Sequence, residues 1–278
     1  MDPLTTEGLT AAIYSPVLRT PLAINRMFRR VGWSFRIGTL VRYLRKRTQT
    51  GVRQTFVSFN YDLALEHALE NATTWTPANG YGLKLRWAAV EDPSDAPGPD
   101  LLPLRRRSGK SITVLKPHGS LNWLIATRRR FRLPFVAVTA NEQVRYIGTR
   151  TDHLYVSLPD RLPIPVAPFI VPPTSHKNTD LPLLRQIRTL ERAALESADE
   201  IVVLGWSMPE TDADQENLIR AAVARRASPF SRVVAVNFKA NQSYYSRIAD
   251  VFGVPISKVE AFNEGLQDFL ARDTPAGG

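Results

Sequence analysis

Cysteine is absent from all 278 residues. That excludes a disulfide framework, a thiol nucleophile and any thiolate-ligated zinc or iron–sulfur site. No run of about 18 apolar residues occurs, so no segment has the pattern of a membrane-spanning helix. The opening Met1-Asp2-Pro3-Leu4 lacks the basic-then-apolar order of a secretory signal. Acidic residues are also missing from one long stretch. None lies between Gly8 and Tyr61, where Arg19, Arg26, Arg29, Arg30, Arg36, Arg42, Arg45, Lys46, Arg47 and Arg53 supply ten positive charges. The whole chain has 36 Lys+Arg against 26 Asp+Glu, so the remainder balances at 26 basic and 26 acidic residues. A net charge of +10 points to nucleic acid or an anionic surface, but here it belongs to residues 19–53 alone. The expectation is a soluble cytoplasmic protein with no membrane partner.

What is present supports a folded chain. Hydrophobic residues make up 44% and charged residues 22%, which is enough apolar surface for a core and argues against wholesale disorder. Residues 1–50 form a basic segment, and the apolar spacing over 22–46 predicts one or two amphipathic helices. The domain proper spans 51–273. Thr55 to Phe59 predicts a strand, Asn60-Tyr61-Asp62 a polar turn, and Leu63, Leu65, Ala68 and Leu69 the helix that follows. Regions 84–111 and 125–168 read as loops or insertions. Between them Ile112 to Leu115 predicts a buried strand ending in Lys116-Pro117-His118-Gly119-Ser120.

The last third alternates more cleanly. A helix over 180–198 leads to a strand at 200–204, the turn Gly205-Trp206-Ser207, a helix over 212–226 and a strand at 233–236. Helical segments near 244–252 and 265–270 follow. Strands alternating with helices predict an α/β fold with a parallel sheet covered on both faces. Ligands of such sheets gather at the carboxyl ends of the strands. Four polar turns would share that edge: Asn60 to Asp62, His118 to Ser120, Gly205 to Ser207, and Asn237. The edge would hold a base, a carboxylate, two amides and a Gly/Ser turn.

Four segments carry a resemblance. Thr55-Phe56-Val57-Ser58-Phe59-Asn60-Tyr61-Asp62-Leu63-Ala64-Leu65-Glu66 resembles the TxNYD…LE signature of the bacterial sirtuin-like family, and Leu115-Lys116-Pro117-His118-Gly119-Ser120-Leu121-Asn122-Trp123 resembles its KLHGSxNW block. Ile170 to Thr174 and Ala198 to Asp212 resemble later blocks in the same order. The resemblance implies a Rossmann-like sheet and an NAD-cleaving enzyme, with NAD as substrate, ADP-ribose as product and no metal. Many members act in anti-phage defence. It further implies Asn60, His118 and Asp62 as catalytic residues. Asn60 would order water and the nicotinamide ribose, His118 would act as general base, and Asp62 would brace the turn or a ribose. Gly119, Gly205, Ser207 and Asn237 would contact the rest of the nucleotide.

The family's glycine-rich GAGxS loop, whose backbone cradles pyrophosphate, has no counterpart before Asn60, where the glycines are Gly8, Gly32, Gly38 and Gly51. Its loss removes charge-assisted hydrogen bonds of about 1.5–3 kcal/mol each. Three alternatives stay open: an N-terminally truncated frame, a domain completed by a protein partner or oligomer, and a degenerate member that binds nucleotide or protein without catalysis. A nucleic-acid sensor acting through residues 19–53 is a further alternative. The absent cysteines count against the zinc-bearing deacylase branch. Trp123 and Trp206 could wall a nicotinamide pocket, core packing being the plainer role of each. Arg105 to Arg107 and Arg128 to Arg130 read as solvated loop faces, and His67, His153 and His176 are not spaced as metal ligands.

Overall fold

The computed structural model describes residues 40–47, 51–61, 63–76, 80–83, 86–87, 112–126, 137–138, 154–158, 161–171 and 182–273. Helix α1 covers 40–47. It is followed by β1 (Gln54–Val57), α2 (Ala64–Ala72), β2 (Arg86–Trp87), β3 (Ile112–Leu115), β4 (Gly119–Ala126), β5 (Ala137–Val138), β6 (Leu154–Leu158) and β7 (Arg161–Ile170). Then come α3 (Pro182–Ser197), β8 (Glu200–Leu204), a 3-10 turn (Glu210–Asp212), α4 (Ala213–Val223), β9 (Arg232–Val236), α5 (Gln242–Val251), β10 (Val259–Phe262) and α6 (Leu266–Arg272).

The strands form two short parallel sheets and one mostly antiparallel sheet. β1 and β3 pair in parallel, from Gln54 opposite Ile112 to Val57 opposite Leu115. β8, β9 and β10 form a three-stranded parallel sheet with β9 in the middle. The expected parallel α/β architecture is thus present as two pieces, and among the described residues no strand joins them into a single sheet. β9 shows why its apolar run is unbroken. Val233 and Ala235 face a core with Leu218, Tyr245 and Ile248, whereas Val234 and Val236 face Phe269 and Leu270. Both faces are covered by helices, so both sets of side chains are apolar.

The third sheet has the order β2-β5-β4-β7-β6, and β2, β5, β6 and most of β7 lie in the regions read as loops or insertions. β7 sits inside it despite Pro163, Pro165 and Pro168. Each proline removes a backbone donor, and the pairing slips between Ser120 and Leu124 and between Val156 and Leu158.

Two helices span the parallel pieces. Leu44 of α1 lies in the core around β3 and α2, while Leu40 and Tyr43 also pack against the core under β9. Leu184 and Ile187 of α3 enter the first core, and Leu195 enters the core of the second piece. Charge locks α1 in place. Arg47 donates to both oxygens of Glu200, at 3.0 and 2.9 Å, and lies 3.4 Å from Asp273. Arg232 joins Glu200 at 2.6 Å, Glu260 at 2.7 Å and Asp273 at 2.9 Å, and the Tyr43 hydroxyl donates to Asp273 at 2.9 Å. Burial alone would push the Glu200 carboxyl up; hydrogen bonding and attraction from Arg47 and then Arg232 outweigh it and hold the group below its ordinary value. All of this lies at the amino ends of β8 and β9. The carboxyl ends are left for other chemistry.

One acid is buried for no such gain. Glu191 on α3 is 1% exposed and accepts a hydrogen bond from Gln215 of α4, while its Oε2 has no partner among the described residues. Burial pushes its carboxyl up to about 8.

Two outcomes are expected. Arg47→Ala should lower stability by about 1–2 kcal/mol in urea titration, more than an isolated surface pair would, because the network is half-buried and holds a helix. Glu191 should make stability fall as pH rises. The folded carboxyl titrates above the unfolded one, so its contribution is complete below about pH 4.5 and is lost progressively up to about pH 8. Melting curves at pH 5 and pH 8 should show Glu191→Gln losing several degrees less than wild type over that interval.

Candidate active site

The carboxyl ends of β1 and β3 are built together. The Ser58 amide donates to Leu115 O at 2.9 Å, carrying the ladder one residue beyond β1. Phe59 is then half-buried, Asn60 is exposed, and the Tyr61 hydroxyl donates to Val171 O at 2.8 Å. Beyond β3 the chain turns tightly through Pro117. The Gly119 amide donates to Lys116 O at 3.0 Å, and His118 O accepts from the Val171 amide at 2.9 Å. Gly119 has φ +80°, and a Cβ there would stand 2.0 Å from Phe169 O. Its glycine is therefore required by the close approach of β7, whatever else the residue contacts.

Beneath this turn sits a buried ion pair. Lys116 is 0% exposed, and its ammonium donates to Glu66 Oε1 at 2.7 Å; the Tyr81 hydroxyl donates to the same oxygen at 3.2 Å. The pair links α2 to the residue two before His118.

The carboxyl end of β8 supplies the other wall. Gly205 has φ +65° and donates its amide to Val236 O at 2.8 Å. Met208, buried at 1% exposure, holds φ +56°, a left-handed conformation costing a non-glycine residue about 1–3 kcal/mol. The loop turns Trp206 inward and leaves Ser207 exposed. The Trp206 ring lies 5.2 Å from that of Phe59, and Phe59 lies 5.4 Å from the His118 imidazole, with Tyr61 at 6.4 Å on centroids. Asp212 closes the group. Its Oδ1 is 3.5 Å from His118 Nε2, and its Oδ2 accepts from Trp206 Nε1 at 3.3 Å. His118 is 8% exposed and Asp212 4%.

The ends of the two parallel pieces therefore meet at an imidazole with a carboxylate beside it, aromatic rings around it and polar residues at its rim. Such an imidazole can accept a proton from a bound hydroxyl or water, and the rings offer π faces to a planar or cationic group. No family model matches the chain, and neither does any curated protein.

Of the residues singled out from the sequence, His118 lies at the centre, and Asn60 and Ser207 each follow a ring of the cluster in the chain. Gly119 and Gly205 form its turns. Asn237 follows β9 on the same edge, its side-chain oxygen accepting from the Phe238 amide at 2.9 Å. Asp62 lies outside the described residues, as do the two arginine runs, His153 and His176. The two tryptophans part company: Trp123 is 0% exposed, between Tyr81 and Phe169 in the core, while Trp206 borders the imidazole. Asp212 was missed. Its place in Pro209-Glu210-Thr211-Asp212, just before a helix, looks like ordinary helix-start chemistry.

Two other features are structural. A cavity of about 180 Å³ is lined by Val223, Arg226, Phe230 and Phe252, but Arg226 donates to Leu195 O at 2.6 Å and its guanidinium covers Phe230 at 3.8 Å. It caps α3 and sits at the amino end of β9, away from His118. Within the basic segment, Arg45 donates to Asn71 O at 3.1 Å and Arg47 is engaged by Glu200, so these two arginines serve the fold.

Lys116→Met should cost about 3–5 kcal/mol in urea titration by stranding the Glu66 carboxylate, and Lys116→Met with Glu66→Gln should recover most of it.

Proposed function

We propose that the chain is a sirtuin-like NAD glycohydrolase, cleaving NAD to nicotinamide and ADP-ribose, with a role of the anti-phage kind that the resemblance implies. The observation that carries this reading is the His118 imidazole, buried among Phe59, Tyr61, Trp206 and Asp212 where the two parallel pieces converge. Ligands of α/β sheets bind at such carboxyl ends. The aromatic faces suit the positively charged nicotinamide ring of NAD.

The chemistry asks for positioning. The bond from ribose C1′ to the ring nitrogen breaks, nicotinamide leaves neutral with the electron pair, and C1′ takes on oxocarbenium character. A water attacks C1′ and gives its proton to His118, so the products are ADP-ribose and nicotinamide. Asn60 orders that water and the nicotinamide ribose. Ser207 and Asn237 face the remainder of the nucleotide. Gly119 contributes shape, its amide being given to Lys116 O, and so does Gly205, whose amide is already given to Val236 O.

A second reading follows from that spent amide and from the missing glycine-rich loop: a sirtuin-like scaffold that binds nucleotide or a partner without cleaving it. One experiment separates the two. Purified protein incubated with NAD should release nicotinamide, and His118→Ala and Asn60→Ala should each cut the rate by about 10²-fold or more. A wild-type chain that binds ADP-ribose in calorimetry but releases no nicotinamide would transfer the case to the second reading.

A further inference from the structure

We infer that Asp212 is a positioning residue for His118, holding the imidazole with its proton on Nε2 and its lone pair on Nδ1. The inference rests on the proposed role of His118 as base, and it concerns a residue with no role in that proposal.

Position is the first ground. Asp212 ends the 3-10 turn and immediately precedes α4, the place where an aspartate ordinarily turns its carboxylate back onto the amides of the first helical turn. Here it makes no such bond. Its backbone, at φ −105° and ψ 17°, is not the extended conformation usual for a cap, and its carboxylate is buried, with Oδ1 at 3.5 Å from His118 Nε2.

Fixation is the second. Oδ2 accepts from Trp206 Nε1 at 3.3 Å, and Trp206 itself packs against Phe59, which touches the same imidazole. One carboxylate oxygen is tied to the wall and the other faces the base. The Asp212 amide donates to Pro209 O at 2.8 Å, fixing the turn from the backbone side. The loop between β8 and this turn holds left-handed conformations at both Gly205 and Met208, and the latter has a side chain to accommodate. A strained loop that turns an indole and a carboxylate towards one imidazole is arranged for that imidazole.

Chemistry is the third. A carboxylate accepts and cannot donate, so the nitrogen facing it is the one that carries hydrogen. The separation of 3.5 Å exceeds a formed hydrogen bond and is within reach of one that tightens when the ring gains a proton. A carboxylate so placed orients the ring and stabilises the imidazolium without itself taking a proton.

The test uses the full chain labelled with 15N-histidine. The His118 signal is identified by its loss in His118→Ala, and its two nitrogen shifts report the tautomer without any need for turnover. Wild type should show the proton on Nε2. Asp212→Asn should give a mixed or reversed tautomer with the melting curve preserved. Asp212→Glu should restore the wild-type pattern in part. In parallel, kcat for nicotinamide release should fall about 10²-fold or more in Asp212→Asn with KM little changed, and recover partly in Asp212→Glu. An Asp212→Asn protein with the wild-type tautomer, or with kcat within about threefold of wild type, overturns the inference. If Asp212→Asn fails to fold, Trp206→Phe releases the carboxylate instead, and an unchanged tautomer there counts against the inference. Failure of wild type to release nicotinamide defeats the NAD proposal alone, because the tautomer shift decides the role of Asp212 independently.

Discussion

The Arg47 guanidinium, held by both oxygens of Glu200, ties the helix in front of one parallel piece to the first residue of the other. No strand among the described residues bridges β1 and β8, so their relative placement falls to α1 on one side and α3 on the other. Leu44 and Tyr43 reach different cores from the same two turns of α1. Two contacts of the candidate site span that division. His118 and Phe59 belong to one piece, Trp206 and Asp212 to the other, and their separations of 3.5 Å and 5.2 Å exist only while the two are docked. Apolar packing draws the pieces together, and the ion network ties them at the far edge.

Three buried polar arrangements divide by what they do. The Lys116–Glu66 pair is closed to water and supports the turn that carries His118. Its desolvation cost is offset only while both partners are present. Glu191 is the opposite case, a buried acid kept neutral by its surroundings and satisfied on one oxygen. Asp212 stands between these extremes, buried yet shared between an indole and an imidazole.

Much of the frame was legible in the residues. The runs at 112–115, 201–204 and 233–236 are largely apolar on both faces and short, which is how a buried parallel strand must look. Three features were hidden for physical reasons. β10 carries Glu260 and Ala261 exposed on an edge, so Val259-Glu260-Ala261-Phe262 has too few apolar residues to stand out. β7 contains three prolines, which ordinarily argue against an interior strand. Asp212 was legible as a helix start but not as a neighbour of His118, since the 93 residues between them carry no local sign of contact. Trp123 and Trp206 were equivalent as residues in motifs, and only the tertiary fold distinguishes the core ring from the one at the site.

The backbone around His118 has a mechanical consequence. Its carbonyl is bonded to the Val171 amide, its neighbour Gly119 touches Phe169 O, and Tyr61 is tied to Val171 O. The antiparallel sheet therefore begins one residue from the imidazole and shares its anchor points. A displacement of β4 or β7 therefore acts on the histidine and on Tyr61 through the same backbone. The antiparallel sheet thus meets the candidate site at the Val171 backbone, which fixes His118 and Tyr61 together.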